Sequence, residues 1–164
     1  MQVIKHMDPI ERLLARAEIS DLITAYCIHF DDQNWEAFAT LWTDDAAFVV
    51  EDHAFEGKQT VLEFLTTCLP QGYVSKHMIS QSLIELADDG LSAHARTDVV
   101  WIAANFKNAI VGRYNDDIIR QDGKWKFRRR NETPVPYREG PTPMSDTAQT
   151  VSGETMDSNL LKED

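Results

Sequence analysis

Cysteine is scarce in this chain, and its scarcity argues against two kinds of site. The 164 residues include two cysteines, Cys27 and Cys68. Neither belongs to a CxxC motif, and neither stands at a spacing from histidine that suits zinc. We therefore interpret both as buried, reduced thiols rather than as a disulfide or zinc ligands, which is typical of a cytoplasmic protein.

Positive charge and long apolar runs are also in short supply. The chain has 16 Lys and Arg residues against 27 Asp and Glu residues, and its formal net charge is −11. This charge repels nucleic acids and acidic membrane surfaces, and the basic cluster at positions 128–130 is too small to reverse it. The first twenty residues are too charged for a signal peptide, and no apolar run reaches membrane-spanning length. We expect a soluble, cytoplasmic protein that binds neither nucleic acid nor membranes.

Motifs that hold nucleotides, cofactors or metals are missing as well. The sequence has no GxSxG, GxGxxG or GxxxxGK(S/T) motif, so serine hydrolases, dinucleotide enzymes and P-loop nucleotidases lose their usual sequence support. His53 stands close to Glu51, Asp52 and Glu56, but without the HxxxH or HExxH spacing of a helical metal site. We therefore expect no metal and no cofactor.

What the chain does contain is a change of hydrophobic period from helical to strand-like. Asp8, Pro9 and Glu11 have the pattern of a capping box, which predicts a helix that runs from there to about Phe30. The pattern then predicts a short helix from Trp35 that ends at positions 43–45, a strand over 46–51 and a third helix over 59–68. Four strands are predicted after them, over 74–86, 91–103, 109–120 and 124–135.

This order of elements predicts an α+β fold, in which a curved antiparallel sheet forms a cone and the N-terminal helices pack on it. We expect residues 1–137 to form this domain. Residues 138–164 are rich in Pro, Ser, Thr and acid and lack periodicity, which predicts a loose tail or an arm on a neighbouring subunit.

Three polar residues stand where chemistry could occur. Strand alternation places His77 on one face with Ile79, Gln81 and Leu83. Asp31 ends the first helix, and Tyr26 lies on or beside its apolar stripe. Each has an ordinary structural explanation, but a desolvated Asp31 needs a partner such as His77. Such a pair would be a general base with an orienting carboxylate.

A further set of short motifs occurs in a recognisable order along residues 8–137. They are Tyr26 with Asp31, Trp35, Asp44-Asp45-Ala46, Gly57, His77, Gly112-Arg113-Tyr114 and Asp122-Gly123-Lys124-Trp125. Together they resemble the SnoaL-like branch of the nuclear-transport-factor-like, cystatin-like fold. The resemblance implies that Asp31 and His77 are the Asp-His base used for elimination in this branch, and that Arg130 matches an arginine important for activity. Tyr26 stands where dehydrating members have a tyrosine and dehydrohalogenating members a lysine, which favours a proton-donating hydroxyl.

The expected cavity wall is apolar, which favours a small, apolar and cyclic ligand. Its candidate residues are Phe48, Val50, Phe64, Leu65, Val99 and Trp101. The leading hypothesis is a cofactor-independent lyase or isomerase, in which Tyr26 assists the leaving group or polarises a carbonyl and Arg130 steadies negative charge. Family members usually bury the outer face of the sheet in dimers or trimers, so we expect a homodimer or homotrimer.

Two alternatives stay open on the sequence. One is a non-catalytic ligand-binding or assembly protein, because the same cone forms the small subunits of ring-hydroxylating dioxygenases. The other is an isomerase resembling ketosteroid isomerase, which needs an aspartate base and a protonated aspartate in the pocket. Asp98 and Asp116 are the candidates for those two carboxyl groups.

Overall fold

The structure is a computed structural model, and it describes residues 7–69, 72–105 and 108–136. The tail predicted at 138–164 lies outside the described residues. Helices α1, α2 and α3 span Pro9–Asp31, Trp35–Ala39 and Lys58–Thr67. The strands are β1 Trp42–Val50, β2 His53–Glu56, β3 Ser75–Ile79, β4 Leu83–Leu86, β5 Ser92–Ala103, β6 Ala109–Gln121 and β7 Lys124–Pro134.

Helix α1 begins as the sequence predicts. The Asp8 carboxylate accepts a hydrogen bond from the Ile10 N–H at 2.8 Å, and the Glu11 carboxylate accepts one from the Asp8 N–H at 3.3 Å. These bonds satisfy amides that have no partner within the helix. One side of α1 is buried over its last three turns and includes Ile19, Ile23, Tyr26 and Phe30. Because this side packs on the sheet, Asp31 at the end of α1 lies against the inner face of the sheet.

The predicted second helix is too long, and its neighbouring strand is too short. Trp42 and Thr43 begin β1 rather than end α2, and both are buried. The register of β1 shifts between Trp42 and Ala47, and this irregularity in the strand coincides with two exposed aspartates, Asp44 and Asp45. The acidic pair therefore belongs to an irregular strand, not to a helix end.

The sheet has the order β2-β1-β7-β6-β5-β3, and β4 also pairs with β5. Most neighbours are antiparallel, but β1 runs parallel to β7, which corrects the expectation of a purely antiparallel sheet. Strand β2 was not predicted. It forms a hairpin with β1 in which Val50 pairs with His53.

The strand predicted over 74–86 is two strands, β3 and β4, separated at residues 80–82. This break reverses the alternation, so the predicted common face of His77, Ile79, Gln81 and Leu83 is wrong beyond Ile79. Leu83 is 51% exposed, whereas Ile84 is 5% exposed. Both strands pair with β5, His77 opposite Trp101 and Ile84 opposite Ala95.

The sheet curves around α1 and α3, and the space between them is filled largely by aromatic rings. The ring of Tyr26 lies at the centre, 5.0 to 6.2 Å between centroids from the rings of Phe30, Phe38, Trp42, Tyr114 and Phe127. Of the two free thiols, Cys27 is buried as predicted, but Cys68 is exposed at the end of α3. Among the described residues, no helix is both long and apolar enough to span a membrane.

Candidate functional site

A cavity of about 230 Å³ lies between the inner face of the sheet and helices α1 and α3. Most of its wall is aromatic or aliphatic. The residues that line it are Tyr26, Phe30, Phe48, Val50, Phe64, Leu65, Cys68, Leu69, His77, Trp101, Ile110, Tyr114 and Glu132. A cavity of this size suits a molecule with few non-hydrogen atoms.

Five of the six residues predicted for the apolar wall line this cavity. They are Phe48, Val50, Phe64, Leu65 and Trp101. Val99, the sixth, is buried on β5 but is not part of the lining. Phe64 is held by a stacked Phe55, with 3.9 Å between the ring centroids. The previously unpredicted strand β2 therefore supports one side of the cavity.

Asp31 and His77 meet at one wall. The distance from Asp31 Oδ1 to His77 Nδ1 is 2.7 Å, and Asp31 Oδ2 accepts a hydrogen bond from the His77 backbone N–H at 2.8 Å. Each side chain is 4% exposed. The carboxylate therefore fixes both the imidazole ring and the backbone of β3, and the two separate elements predicted to converge do so.

The end of α1 is docked onto β3 by a second contact. Lys76 Nζ lies 3.2 Å from Asp32 Oδ1 on the solvent side. Consecutive residues on a strand point to opposite faces, so Lys76 reaches outwards where His77 points inwards. The His77 side chain lines the cavity, and Nδ1 is occupied by Asp31. Nε2 has no hydrogen-bond partner among the described residues, which leaves it free for a ligand.

Tyr26 lies beside His77, with 6.0 Å between the ring centroids and an angle of 85° between the rings. Burial raises the pKa of Tyr26 well above its ordinary value, although Arg130 opposes the shift. The phenol is therefore neutral at physiological pH and can donate its proton in a hydrogen bond.

Arg130, which was predicted to steady negative charge in the reaction, is not part of the cavity lining. Its guanidinium donates hydrogen bonds to both carboxylate oxygens of Asp116, from Nε at 2.7 Å and from Nη2 at 2.8 Å. Both side chains are 0% exposed. Burial lowers the pKa of Arg130, but the charge and hydrogen bonds of Asp116 outweigh this effect and raise it above the ordinary value. Arg130 is therefore a permanent cation held behind the cavity wall.

The guanidinium carbon of Arg130 is packed against three rings. It lies 4.0 Å from the ring centroids of Tyr26 and Tyr114 and 4.3 Å from that of Phe127. Nη1 has no hydrogen-bond acceptor among the described residues, so these ring faces are its surroundings. Cation–π contacts of this kind are strongest where water is excluded. Arg130 therefore positions two phenols that do line the cavity.

Six lining residues were not predicted as site residues, and two of these, Tyr114 and Glu132, carry a phenol and a carboxyl group. They are directly opposite each other on β6 and β7. Burial raises the pKa of both side chains. Strand alternation alone puts Glu132 on the same face as Arg130, two positions earlier, and that signal could have identified it.

Asp98, Asp116 and His29 do not line the cavity. Asp98 lies on the exposed face, where its Oδ1 accepts a hydrogen bond from Arg113 Nε at 2.7 Å. Asp116 is bound by Arg130. The pair of pocket carboxyl groups that a ketosteroid-isomerase-like site requires is therefore not formed by Asp98 and Asp116. His29 is half-buried and is not part of the lining.

No group of three or more His, Cys, Asp or Glu side chains within the described ranges is arranged to hold a metal ion. His53 is exposed on β2. The polar groups of the cavity are instead a histidine, two phenols and one carboxyl group, with Cys68 at the edge. These side chains can accept and donate protons.

The fold and the site define a class: an α+β cone with a cystatin-like sheet and an apolar cavity inside it. Residues 11–131 match the model of the SnoaL-like domain, and the chain belongs to this family. One relative is gamma-hexachlorocyclohexane dehydrochlorinase from Sphingobium indicum. It is 27% identical over an alignment of 131 positions, which covers 76% of this chain and 83% of that protein. This distant homology supports a lyase-type enzyme.

Solved structures share the same fold. A protein of unknown function from Mycobacterium tuberculosis superposes with a TM-score of 0.71 at 23% identity, covering 89% of this chain and 90% of that one. A hexachlorocyclohexane dehydrochlorinase superposes with a TM-score of 0.66 at 24% identity, covering 83% and 99%. A proposed scytalone dehydratase from Novosphingobium aromaticivorans gives 0.67 at 21% identity, covering 81% and 94%.

Proposed function

We propose that this protein is a cofactor-independent lyase or isomerase that acts on a small, apolar, cyclic molecule. The observation that carries the proposal is the Asp31–His77 pair, whose side chains are each 4% exposed and whose imidazole lines an apolar cavity. The distant relationship to a dehydrochlorinase supports elimination as the reaction type. The proposed substrate class follows from the apolar wall and the small volume of the cavity.

His77 is the general base in this proposal. A carboxylate accepts only, so the short contact with Asp31 puts the imidazole proton on Nδ1 and leaves a lone pair on Nε2. Nε2 then takes a proton from a substrate carbon. Asp31 stabilises the imidazolium that forms, and its second bond to the His77 backbone keeps the ring in place.

Tyr26 is the proposed hydrogen-bond donor to the leaving group or to a substrate carbonyl. Its neutral phenol lines the cavity next to His77. Arg130 acts through Tyr26 and Tyr114 and is a positioning residue, because Arg130 itself does not reach the cavity. Its charge also lies close enough to favour negative charge that develops near the two phenols.

The test compares the two His–Asp pairs of the protein. His94 Nδ1 also lies 2.7 Å from a carboxylate oxygen, that of Asp117, but on the exposed face. Wild type and variants are incubated with gamma-hexachlorocyclohexane and, separately, with 3-hydroxycyclohexanone. Released chloride and the dehydrated ketone are measured. We expect His77→Ala and Asp31→Ala to reduce turnover by about 10²–10⁴-fold and His94→Ala to leave it unchanged.

Circular dichroism of each variant shows whether the fold is kept. Full activity in a folded His77→Ala variant contradicts the proposed base. Ligand binding by wild type with no turnover of either probe supports the alternative of a non-catalytic binding protein. A large loss in His94→Ala would show that the exposed pair, not the cavity pair, carries the reaction.

A further inference from the structure

Glu132 is a carboxyl group in the cavity to which the proposed mechanism gives no role. It lies on β7, paired with Tyr114 on β6 and with Val50 on β1. All three side chains line the cavity. Strands β6 and β5 separate β7 from β3, so Glu132 and His77 occupy opposite sides of the curved inner face.

The Glu132 carboxyl group has no ion-pair or hydrogen-bond partner in the part of the chain that the structure describes. The nearest cation on its own strand, Arg130, is bound through two nitrogens to Asp116. Glu132 is half-buried and lines a largely apolar cavity, where its carboxyl group has no such partner among the described residues. A carboxyl group in such surroundings is more stable in its neutral form.

We propose that Glu132 is a second catalytic residue, a neutral carboxyl group that gives its proton to an oxygen atom on the substrate, on the side opposite His77. This inference rests on the proposed function and narrows its substrate class. The substrate is an oxygenated ring, with a hydroxyl leaving group or a carbonyl, rather than one that carries a halide alone. Burial raises the pKa of Glu132, while Arg130 and His77 oppose the shift, which is consistent with a protonated group.

The proton balance of a dehydration closes within this site. His77 Nε2 takes the proton from carbon, the C–H electron pair forms the C=C bond, and the C–O bond breaks. The leaving oxygen takes the Glu132 proton and departs as water. The site then holds an imidazolium at His77 and a carboxylate at Glu132, and return of one proton from His77 to Glu132 restores both groups.

A halide differs because it leaves as a stable anion and needs no proton. A neutral carboxyl group would then be dispensable. Tyr26 next to His77 and Glu132 across the cavity would both donate to the oxygen of a hydroxyl or carbonyl group. Two donors that converge on one oxygen stabilise the negative charge that develops there.

The first measurement needs no substrate. The protein is labelled with ¹³C at the glutamate side-chain carboxyl, and the Glu132 signal is assigned by its loss in Glu132→Gln. We expect Glu132 to titrate above the ordinary glutamate pKa of about 4.3. A midpoint at or below that value overturns the proposal.

The second measurement is exchange of the α-protons of cyclohexanone in D₂O, which needs a base and an oxygen-directed donor but no leaving group. We expect Glu132→Leu to slow the exchange by about tenfold or more. Glu132→Gln should slow it less, because its amide still donates a hydrogen bond but transfers no proton. Glu85→Gln is the matched control and should leave the rate unchanged.

The outcomes separate the two proposals. Equal exchange in wild type and a folded Glu132→Leu variant overturns the role of Glu132 and leaves His77 as the base. No exchange above buffer in wild type contradicts the proposed base itself. In that case the titration still decides whether Glu132 is a neutral carboxyl group.

Discussion

Two histidines on opposite faces of the sheet each pair with an aspartate at the same distance. In each pair, a histidine Nδ1 is 2.7 Å from an aspartate Oδ1. The side chains of His77 and Asp31 are each 4% exposed, whereas those of His94 and Asp117 are 75% and 46% exposed. The two pairs therefore differ in burial and in access to the cavity, not in the Nδ1–Oδ1 distance. Exclusion of water strengthens the electrostatic interaction between Asp31 and His77, and the adjoining cavity gives a ligand access to His77 Nε2.

The largest expected difference between the two pairs is in turnover, in the variants Asp31→Asn and Asp117→Asn. Asparagine keeps the shape of aspartate, but its amide can donate to Nδ1 and so place the ring proton on Nε2. His77 would then have no lone pair facing the cavity. We expect Asp31→Asn to reduce kcat by about 10²–10⁴-fold and Asp117→Asn to have no effect, measured on a probe that wild type converts.

An equal loss in both variants would contradict this comparison, because it would mean that exposure is irrelevant. Retained kcat in Asp31→Asn would show that the tautomer of His77 does not matter. If the loss of kcat comes from the tautomer and not from unfolding, both variants should have the same midpoint of urea denaturation as wild type.

The ion pair of Arg130 with Asp116 differs from both His–Asp pairs, because it is fully buried and lies away from the cavity. Arg130 and Asp116 are 0% exposed and do not line the cavity. Arg130→Met leaves Asp116 buried without a partner, so we expect a loss of about 3–5 kcal/mol in the free energy of unfolding. Urea denaturation measures it. The double variant Arg130→Met with Asp116→Leu should recover most of the loss, because no unpaired charge remains.

A single Arg130→Met variant as stable as wild type would contradict a structural role for this pair. A double variant as unstable as the single one would mean that ring packing, not charge, dominates. The stacking of Arg130 on Tyr26 and Tyr114 makes some residual loss expected.

The sequence predicted the parts of this arrangement that depend on local pattern. The start of α1 follows from Asp8 and Glu11, and the long strands follow from their alternation. The contact of Asp31 with His77 was expected from the family resemblance, and the cost of an unpaired, desolvated carboxylate is consistent with it. Whether that pair acts as a base stays a prediction.

The sequence did not predict what depends on pairing between distant strands. Strand alternation shows which face a residue is on but not which strand lies next to it, so the parallel pairing of β1 with β7 was missed. Arg130 was assigned a catalytic role from the family resemblance, which does not show what its side chain contacts. In the structure Asp116 stands opposite Arg130 on β6 and binds it behind the tyrosines, while Glu132, two residues further on, lines the cavity.

A smaller effect is expected from Tyr26→Phe, which removes one hydroxyl from the cavity and keeps the ring contacts. The phenol is neutral, so its loss removes a hydrogen-bond donor and no charge. We expect kcat to fall by about tenfold and the fold to survive, as one neutral hydrogen bond contributes roughly 1 kcal/mol. Steady-state kinetics measure it, with Tyr73→Phe as the control because Tyr73 is not part of the cavity lining. An unchanged kcat in Tyr26→Phe would remove Tyr26 from the mechanism.

The smallest effect expected is a pH dependence of stability that comes from Glu132. Burial raises the pKa of this carboxyl group, so the folded protein holds its proton to higher pH than the unfolded chain does. The resulting stability is fully present below the ordinary glutamate pKa of about 4.3, and it is lost as pH rises through the folded value. The ionisable or charged groups around Glu132 are Tyr26, Cys68, His77, Tyr114 and Arg130.

Glu132→Gln lacks this titration and keeps a side chain of the same shape. We therefore expect wild type to lose free energy of unfolding relative to Glu132→Gln as the pH rises from about 4 to about 8. Urea denaturation of both proteins across this range measures the difference, and Glu85→Gln controls for the loss of an exposed carboxylate. A constant difference, or one of opposite sign, would mean that Glu132 is ionised in the folded protein and is not a proton donor in the cavity.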